Sequence, residues 1–258
     1  MRNPLTVDRH SIKSIYLTPR FNEQELASAT GFIVKRNNEY FLITNRHVVT
    51  GRHNITNKCL DEKHSGIPNN LMAWIPFNDG IMINWKAVSI SLYDENENPI
   101  WMEHPIYKNK IDVVALKLSM NIDDIFCYNL MSDYVPIVTG SVFIIGYPYG
   151  FNVNPKIGKY AIWSNGTIAS DPALNLNIDE EQLPAFLIDA KTRQGQSGSP
   201  VIYYNASGID VNERGIGILG GPVKHEIGIY SGRIDSESDL GYVWKWSVIN
   251  DILSNEKE

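Results

Sequence analysis

Gly195-Gln196-Ser197-Gly198-Ser199-Pro200 is the stretch on which the reading of this chain turns. A serine hydroxyl is a weak nucleophile at neutral pH, so a reactive one needs an exposed position and a neighbouring base. Glycines at 195 and 198 let the backbone make a tight turn that exposes Ser197. The same turn can aim backbone amides along Gly195, Gln196 and Ser197, those of Gly195 and Ser197 above all, at one point. That would form an oxyanion hole, in which losing one donor typically costs ~10²–10³ in turnover. A plain Gly-Ser loop reads the same way, so two further stretches carry the decision.

Upstream, Thr44-Asn45-Arg46-His47-Val48-Val49 places a histidine directly after an apolar strand at 40–43. At a strand end its imidazole can face a cleft and act as general base, then general acid, a role worth ~10²–10⁴ in rate. Between the two, Ile111-Asp112-Val113-Val114-Ala115-Leu116 opens an apolar strand with a carboxylate, which is costly unless something pairs with it. A bond to the second ring nitrogen of His47 would satisfy Asp112 and fix the histidine tautomer. Each stretch alone has a plain structural reading. Together, in the order His, Asp, Ser that one known class of triads uses, they designate His47, Asp112 and Ser197 as catalytic.

The rest of the chain reads as β-structure. Strands are expected at 29–34 and 40–44 around an Asn37-Asn38 turn, and at 71–75, 85–93, 111–118 and 141–145. Others follow at 160–169, 185–189, 199–204, 215–219 and 227–231. Only the last segment has helical spacing, through Trp244, Val248, Ile252 and Leu253. Short strands with Gly, Pro and Asn turns indicate a sandwich or barrel.

On these stretches the chain resembles the trypsin-like serine peptidases of the chymotrypsin fold, and among them the HtrA-type bacterial branch. Gly31-Phe32-Ile33-Val34, Ile145-Gly146-Tyr147-Pro148-Tyr149-Gly150 and Ser164-Asn165-Gly166-Thr167-Ile168 extend the similarity, which covers 29–232. The resemblance implies an all-β chain of two six-stranded antiparallel β-barrels with a short C-terminal α-helix. On that division a single peptidase domain, 1–258, holds a first barrel at 20–120 with His47 and Asp112. A second barrel at 135–243 holds Ser197, and the helix spans 244–256. The implied activity is peptide-bond hydrolysis through an acyl-enzyme, on protein or peptide substrates and without cofactor or metal. The lack of an export signal, accessory domain and zymogen signature adds the expectation of a dedicated partner protein.

Departures from the family narrow this. Digestive trypsins carry an aspartate before the nucleophile that pairs with a new N-terminus. Gln196 has no charge for that purpose, and no PDZ domain is expected after the barrels. The resemblance places Lys191, Thr192, Gln194, Tyr230, Ser231, Gly232 and Arg233 around the substrate. An inward Lys191 would favour an acidic residue before the scissile bond, whereas Asp235 or Asp239 would reverse that preference.

Composition fits a globular protein: 258 residues, 43% hydrophobic, 20% charged, net charge −6. The negative charge argues against nucleic-acid binding. With two cysteines, no apolar leader and no long apolar run, a cytoplasmic location without membrane contact is expected. His53, Cys59 and His64 lack standard zinc spacing, and Trp74, Trp85, Trp101 and Trp163 are expected to fill barrel cores. The alternative to an active peptidase is a catalytically silent trypsin-fold binding module or regulatory pseudoprotease. An esterase with the same triad is a third reading.

Overall fold

The computed structural model describes residues 7–61, 66–132, 134–153, 158–212, 215–218 and 221–254. Its first half is one sheet built from β1 (Ser14–Phe21), β2 (Gln24–Glu25), β3 (Ala29–Arg36), β4 (Glu39–Thr44), β5 (Asn70–Asn78), β6 (Ile83–Ser91), β7 (Val114–Leu118) and β8 (Cys127–Tyr128). The main path runs β6-β5-β1-β3-β4-β7, with β2 against β1 and β8 lying parallel to β3. The second half contains β9 (Ser141–Gly146), β10 (Ile162–Ile168), β11 (Leu176–Ile178), β12 (Glu181–Leu183), β13 (Ala185–Ala190), β14 (Pro200–Asn205), β15 (Ile209–Asn212), β16 (Gly215–Ile218), β17 (Val223–Arg233) and β18 (Leu240–Lys245). Six of these strands close a barrel in the order β10-β13-β18-β17-β14-β9. Helices are short: α1 (His10–Lys13), α2 (Arg46–Thr50) and α3 (Ser247–Leu253).

The chain is mostly β, as expected, but only the second barrel closes through its ladder. In the first half, β6 and β7 do not pair. The irregular segment between them bridges the gap, through single contacts such as Met102 with Ala115 on β7. The strand expected at 111–118 begins only at Val114, because Asp112 and its neighbours turn towards the cleft. The strand expected at 215–219 ends at Ile218, and residue 219 lies outside the described residues. The C-terminal helix starts at Ser247 rather than 244, since Trp244 and Lys245 complete β18. The Asn37-Asn38 turn is present with positive φ at both residues, the conformation that a tight hairpin requires.

Side-chain alternation explains how the two halves join. Along β3 and β4, Ile33 and Leu42 enter the core of the first sheet, while Phe32, Val34, Phe41 and Ile43 face the other way. That outward face is buried as well, against Trp244, Trp246 and the apolar side of α3. Phe32 stacks on Trp246 with ring centroids 5.1 Å apart and planes 13° from parallel. The central strands are therefore apolar on both faces, and the cleft is held by a packed core.

Truncation of Phe32 should test that core directly. Phe32→Ala is expected to destabilise the protein by about 3–5 kcal/mol, the usual cost of deleting a buried aromatic ring. Equilibrium denaturant unfolding monitored by tryptophan fluorescence would measure it, and a change below ~1 kcal/mol would show that the halves are held together elsewhere.

Candidate active site

Strand β4 runs straight into the single turn of α2, and this delivers His47 to the cleft. The turn stops at Gly51, whose φ of 64° is left-handed. Asn45, fully buried, donates its side-chain amide to the Asp112 carbonyl at 2.7 Å, fixing the approach of the 111–113 segment. His47 sits on this short helix rather than on the strand end.

Asp112 is 2% exposed, and three donors meet its carboxylate. The His47 backbone amide donates to Oδ1 at 2.9 Å, and His47 Nδ1 lies 2.6 Å from Oδ2. The Ser231 hydroxyl also donates to Oδ2. An ionised carboxylate can only accept, so the ring proton belongs on Nδ1 and Nε2 keeps its lone pair. The His47 side chain is 19% exposed, enough to reach a ligand in the cleft.

Ser197 sits on a turn that needs both glycines. Gly195 has φ +96° and Gly198 φ +83°; a Cβ would fall 2.3 Å from the Tyr147 carbonyl oxygen at the first and 2.1 Å from the Thr30 carbonyl oxygen at the second. Thr30, from the first sheet, holds this turn. Its amide donates to the Ser197 carbonyl at 2.9 Å and its hydroxyl to the Gly195 carbonyl at 2.8 Å. The Ser197 hydroxyl itself donates to the Ser231 carbonyl at 3.1 Å.

The loop before Ser197 is braced by Gln196, which is fully buried. Its Oε1 accepts from the Arg193 amide at 2.7 Å, and its Nε2 donates to Ser164 Oγ at 2.8 Å. The Gln196 amide donates to the Arg193 carbonyl at 3.2 Å, so it is not available as an oxyanion donor and that expectation is corrected. The Gln194 carbonyl is turned away, accepting from the Tyr149 amide at 2.6 Å. Among the described residues, the amides of Gly195 and Ser197 meet no acceptor in the protein.

One cavity of about 630 Å³ is bordered by His47, Asp112 and Ser197 together. Gln194, Ser231, Gly232 and Arg233 also line it, whereas Lys191, Thr192 and Tyr230 do not. Lys191 is exposed, and Thr192 and Tyr230 are buried against each other. Asp235 and Asp239 are exposed and off the cavity wall. The Ser231 hydroxyl and the Thr30 clamp were not foreseen from the sequence.

Of the residues considered for zinc, His53 lines the cavity and Cys59 does not. Among the described residues no group of three or more His, Cys, Asp or Glu could hold a metal ion, and His64 lies outside them. The tryptophans expected in barrel cores lie at their margins instead: Trp85 and Trp101 pack part-buried against the first core, and Trp163 against the interface core. Trp74 is also part-buried, with the Lys159 ammonium 4.5 Å from its ring centroid.

Solved structures that share this fold include proteases. The active form of the Rv3671c protease from M. tuberculosis is 16% identical, with a TM-score of 0.51 over 95% of this chain and 81% of that one. Protease Anisep from Arthrobacter nicotinovorans is 14% identical, with a TM-score of 0.51 over 94% of each chain. The serine endoprotease from Yersinia pestis is 14% identical, with a TM-score of 0.50 over 98% of this chain and 67% of that one. At such identities the likeness shows the fold alone. A search of curated protein sequences returns no match. The sequence itself carries the family: the model of the trypsin-like peptidase domain matches residues 29–208, more than half of the chain. This chain therefore belongs to the trypsin-like peptidases and is a serine endopeptidase.

Proposed function

We propose that the enzyme cleaves peptide bonds with Ser197 as nucleophile, His47 as general base and acid, and Asp112 as the group that orients His47. The observation that supports this best is the 2.6 Å contact of His47 Nδ1 with the buried Asp112 carboxylate, on the wall of the cavity that Ser197 also borders. With Nδ1 engaged by the carboxylate, Nε2 is the ring nitrogen left to take the Ser197 proton. The Ser197 hydroxyl turns from the Ser231 carbonyl to Nε2 when substrate binds. As Oγ bonds to the scissile carbonyl carbon, its proton passes to Nε2, and the carbonyl oxygen becomes an anion facing the amides of Gly195 and Ser197. Collapse breaks the C–N bond, and His47 returns the proton to the leaving amine. Water then repeats the sequence on the acyl-enzyme.

The neutral Gln196 brace supports a second element, an oxyanion loop that is held without a charged partner. Its bonds to Arg193 and Ser164 join residues within the second barrel. The proposed role is an intracellular processing peptidase, of the kind used in bacterial stress or anti-phage responses, acting on a dedicated partner. The two free cysteines support a reducing compartment. Burial pushes the Cys127 thiol up to about 11, so it stays protonated and inert. A silent binding module is the weaker reading, because Asp112 would then bury a charge for no chemical return.

Hydrolysis of a peptide or ester substrate should fall about 10⁴–10⁶-fold in Ser197→Ala and His47→Ala, and about 10⁴-fold in Asp112→Asn. Steady-state kinetics on folded variants would measure this, and full activity in any of the three would reject the assignment. Gln196→Ala should lower kcat by ~10–10³-fold with a smaller effect on KM, because it loosens donors used in the transition state. A purely structural role would leave kcat intact in the protein that stays folded.

A further inference from the structure

Two backbone segments flank Ser197 on the side of the Ser231-Gly232-Arg233 edge: residues 190–195, which lead into the turn, and strand β17. The strand is tied to the turn by two bonds of 2.9 Å, from the Gly198 amide to the Tyr230 carbonyl and from the Tyr230 amide to the Ser199 carbonyl. An extended peptide pairing along this edge would direct the side chain before its scissile bond between the two segments. That slot is already occupied.

Tyr230 is 2% exposed and packs in the core of the closed barrel with Val142, Val201 and Val243, next to the bulge at Ser231. Its phenol hydroxyl is hydrogen-bonded to Thr192 Oγ1 on the other segment, and Thr192 is also 2% exposed. The remaining side is shut by Gly241, where a Cβ would come 2.7 Å from Tyr230 Cε2 and 3.3 Å from the Gly232 carbonyl oxygen. Neither Tyr230, Thr192 nor Gly241 borders the open cavity, although Gln194, Gly195, Ser231 and Gly232 do. Above Gly232 the space is free, with nothing within 4 Å of where its Cβ would lie. The open cavity therefore follows the backbone edge at Ser231 and Gly232 and leaves Tyr230 and Thr192 outside its wall.

We propose that Tyr230, locked by Thr192, plugs the primary side-chain slot, so that this peptidase cuts after small residues: glycine, alanine or serine. The inference rests on Ser197 being the nucleophile. A larger side chain would have to displace a buried phenol and leave two hydroxyls without partners. Lys191, exposed and off the cavity, would then have no part in this preference.

The test uses two aminoalkyl phosphonate esters on the full chain, one carrying a methyl and one a benzyl side chain, with inactivation rates as the readout. The wild type should react with the methyl probe at least about tenfold faster, and Tyr230→Ala should move the ratio towards benzyl by at least about tenfold. Tyr230→Val serves as the milder variant, and if neither variant folds the wild-type ratio decides. A wild type without methyl preference, or an unchanged ratio in a folded variant, would overturn the plug. A small fluorophosphonate that places no side chain in the slot separates the two possible failures. Labelling at Ser197 without methyl preference refutes the plug, whereas no labelling refutes the catalytic reading beneath it.

Discussion

The buried carboxylate of Asp112 is the interaction around which the cleft is arranged. An ionised group taken out of water is tolerated only when donors replace its hydration. Here the donors come from both halves of the molecule: the amide and ring of His47 from the first, and the hydroxyl of Ser231 from the second. The halves must close on each other for that charge to be satisfied. The apolar contact of Phe32, Phe41 and Ile43 with Trp244, Trp246 and α3 supplies the driving force for closure, and the carboxylate fixes its register. Thr30 then makes a second polar tie, from β3 to the carbonyls on either side of Gln196.

The same logic governs the loop that carries Ser197. A tight turn with two left-handed glycines is conformationally expensive and stays ordered only if its polar groups are engaged. Gln196 engages them with a neutral amide, which donates and accepts at once, and so needs no countercharge in the interior. With the Gln194 carbonyl drawn off by Tyr149, the peptide before Gly195 is turned so that its amide is left for a ligand. The brace and the proposed plug at Tyr230 meet adjacent residues of one short segment, Arg193 and Thr192. One orders the donors, and the other limits what can approach them.

Much of this was legible in the residues themselves. Asp112 stands out because it puts a carboxylate among apolar neighbours, His47 because it follows an apolar strand, and Ser197 because glycines make the tight turn around it, while the Asn37-Asn38 turn announces a hairpin. Strand β1 was not legible, because Pro19 interrupts a segment that would otherwise alternate; yet its first residues pair with β3 and its later ones with β5. The end of β18 reads as helix because Trp244 continues the spacing of Val248 and Ile252 while its backbone pairs with Ala185 and Ile229. The roles of Ser231, Thr30 and Tyr230 depend on contacts between segments more than thirty residues apart, such as 34 positions for Ser231 with Ser197 and 165 for Thr30 with Gly195, and no local pattern records them. First-barrel closure failed as an expectation for a similar reason: whether β6 meets β7 is decided by the irregular chain between them.

The central claim is that Ser197 is made nucleophilic by His47 and Asp112. Peptide mapping by mass spectrometry after treatment with a fluorophosphonate addresses it most directly. A single adduct on Ser197 in the wild type, absent from His47→Ala, is the result this account predicts. No adduct on the folded wild type, or one on another serine such as Ser199, would contradict it.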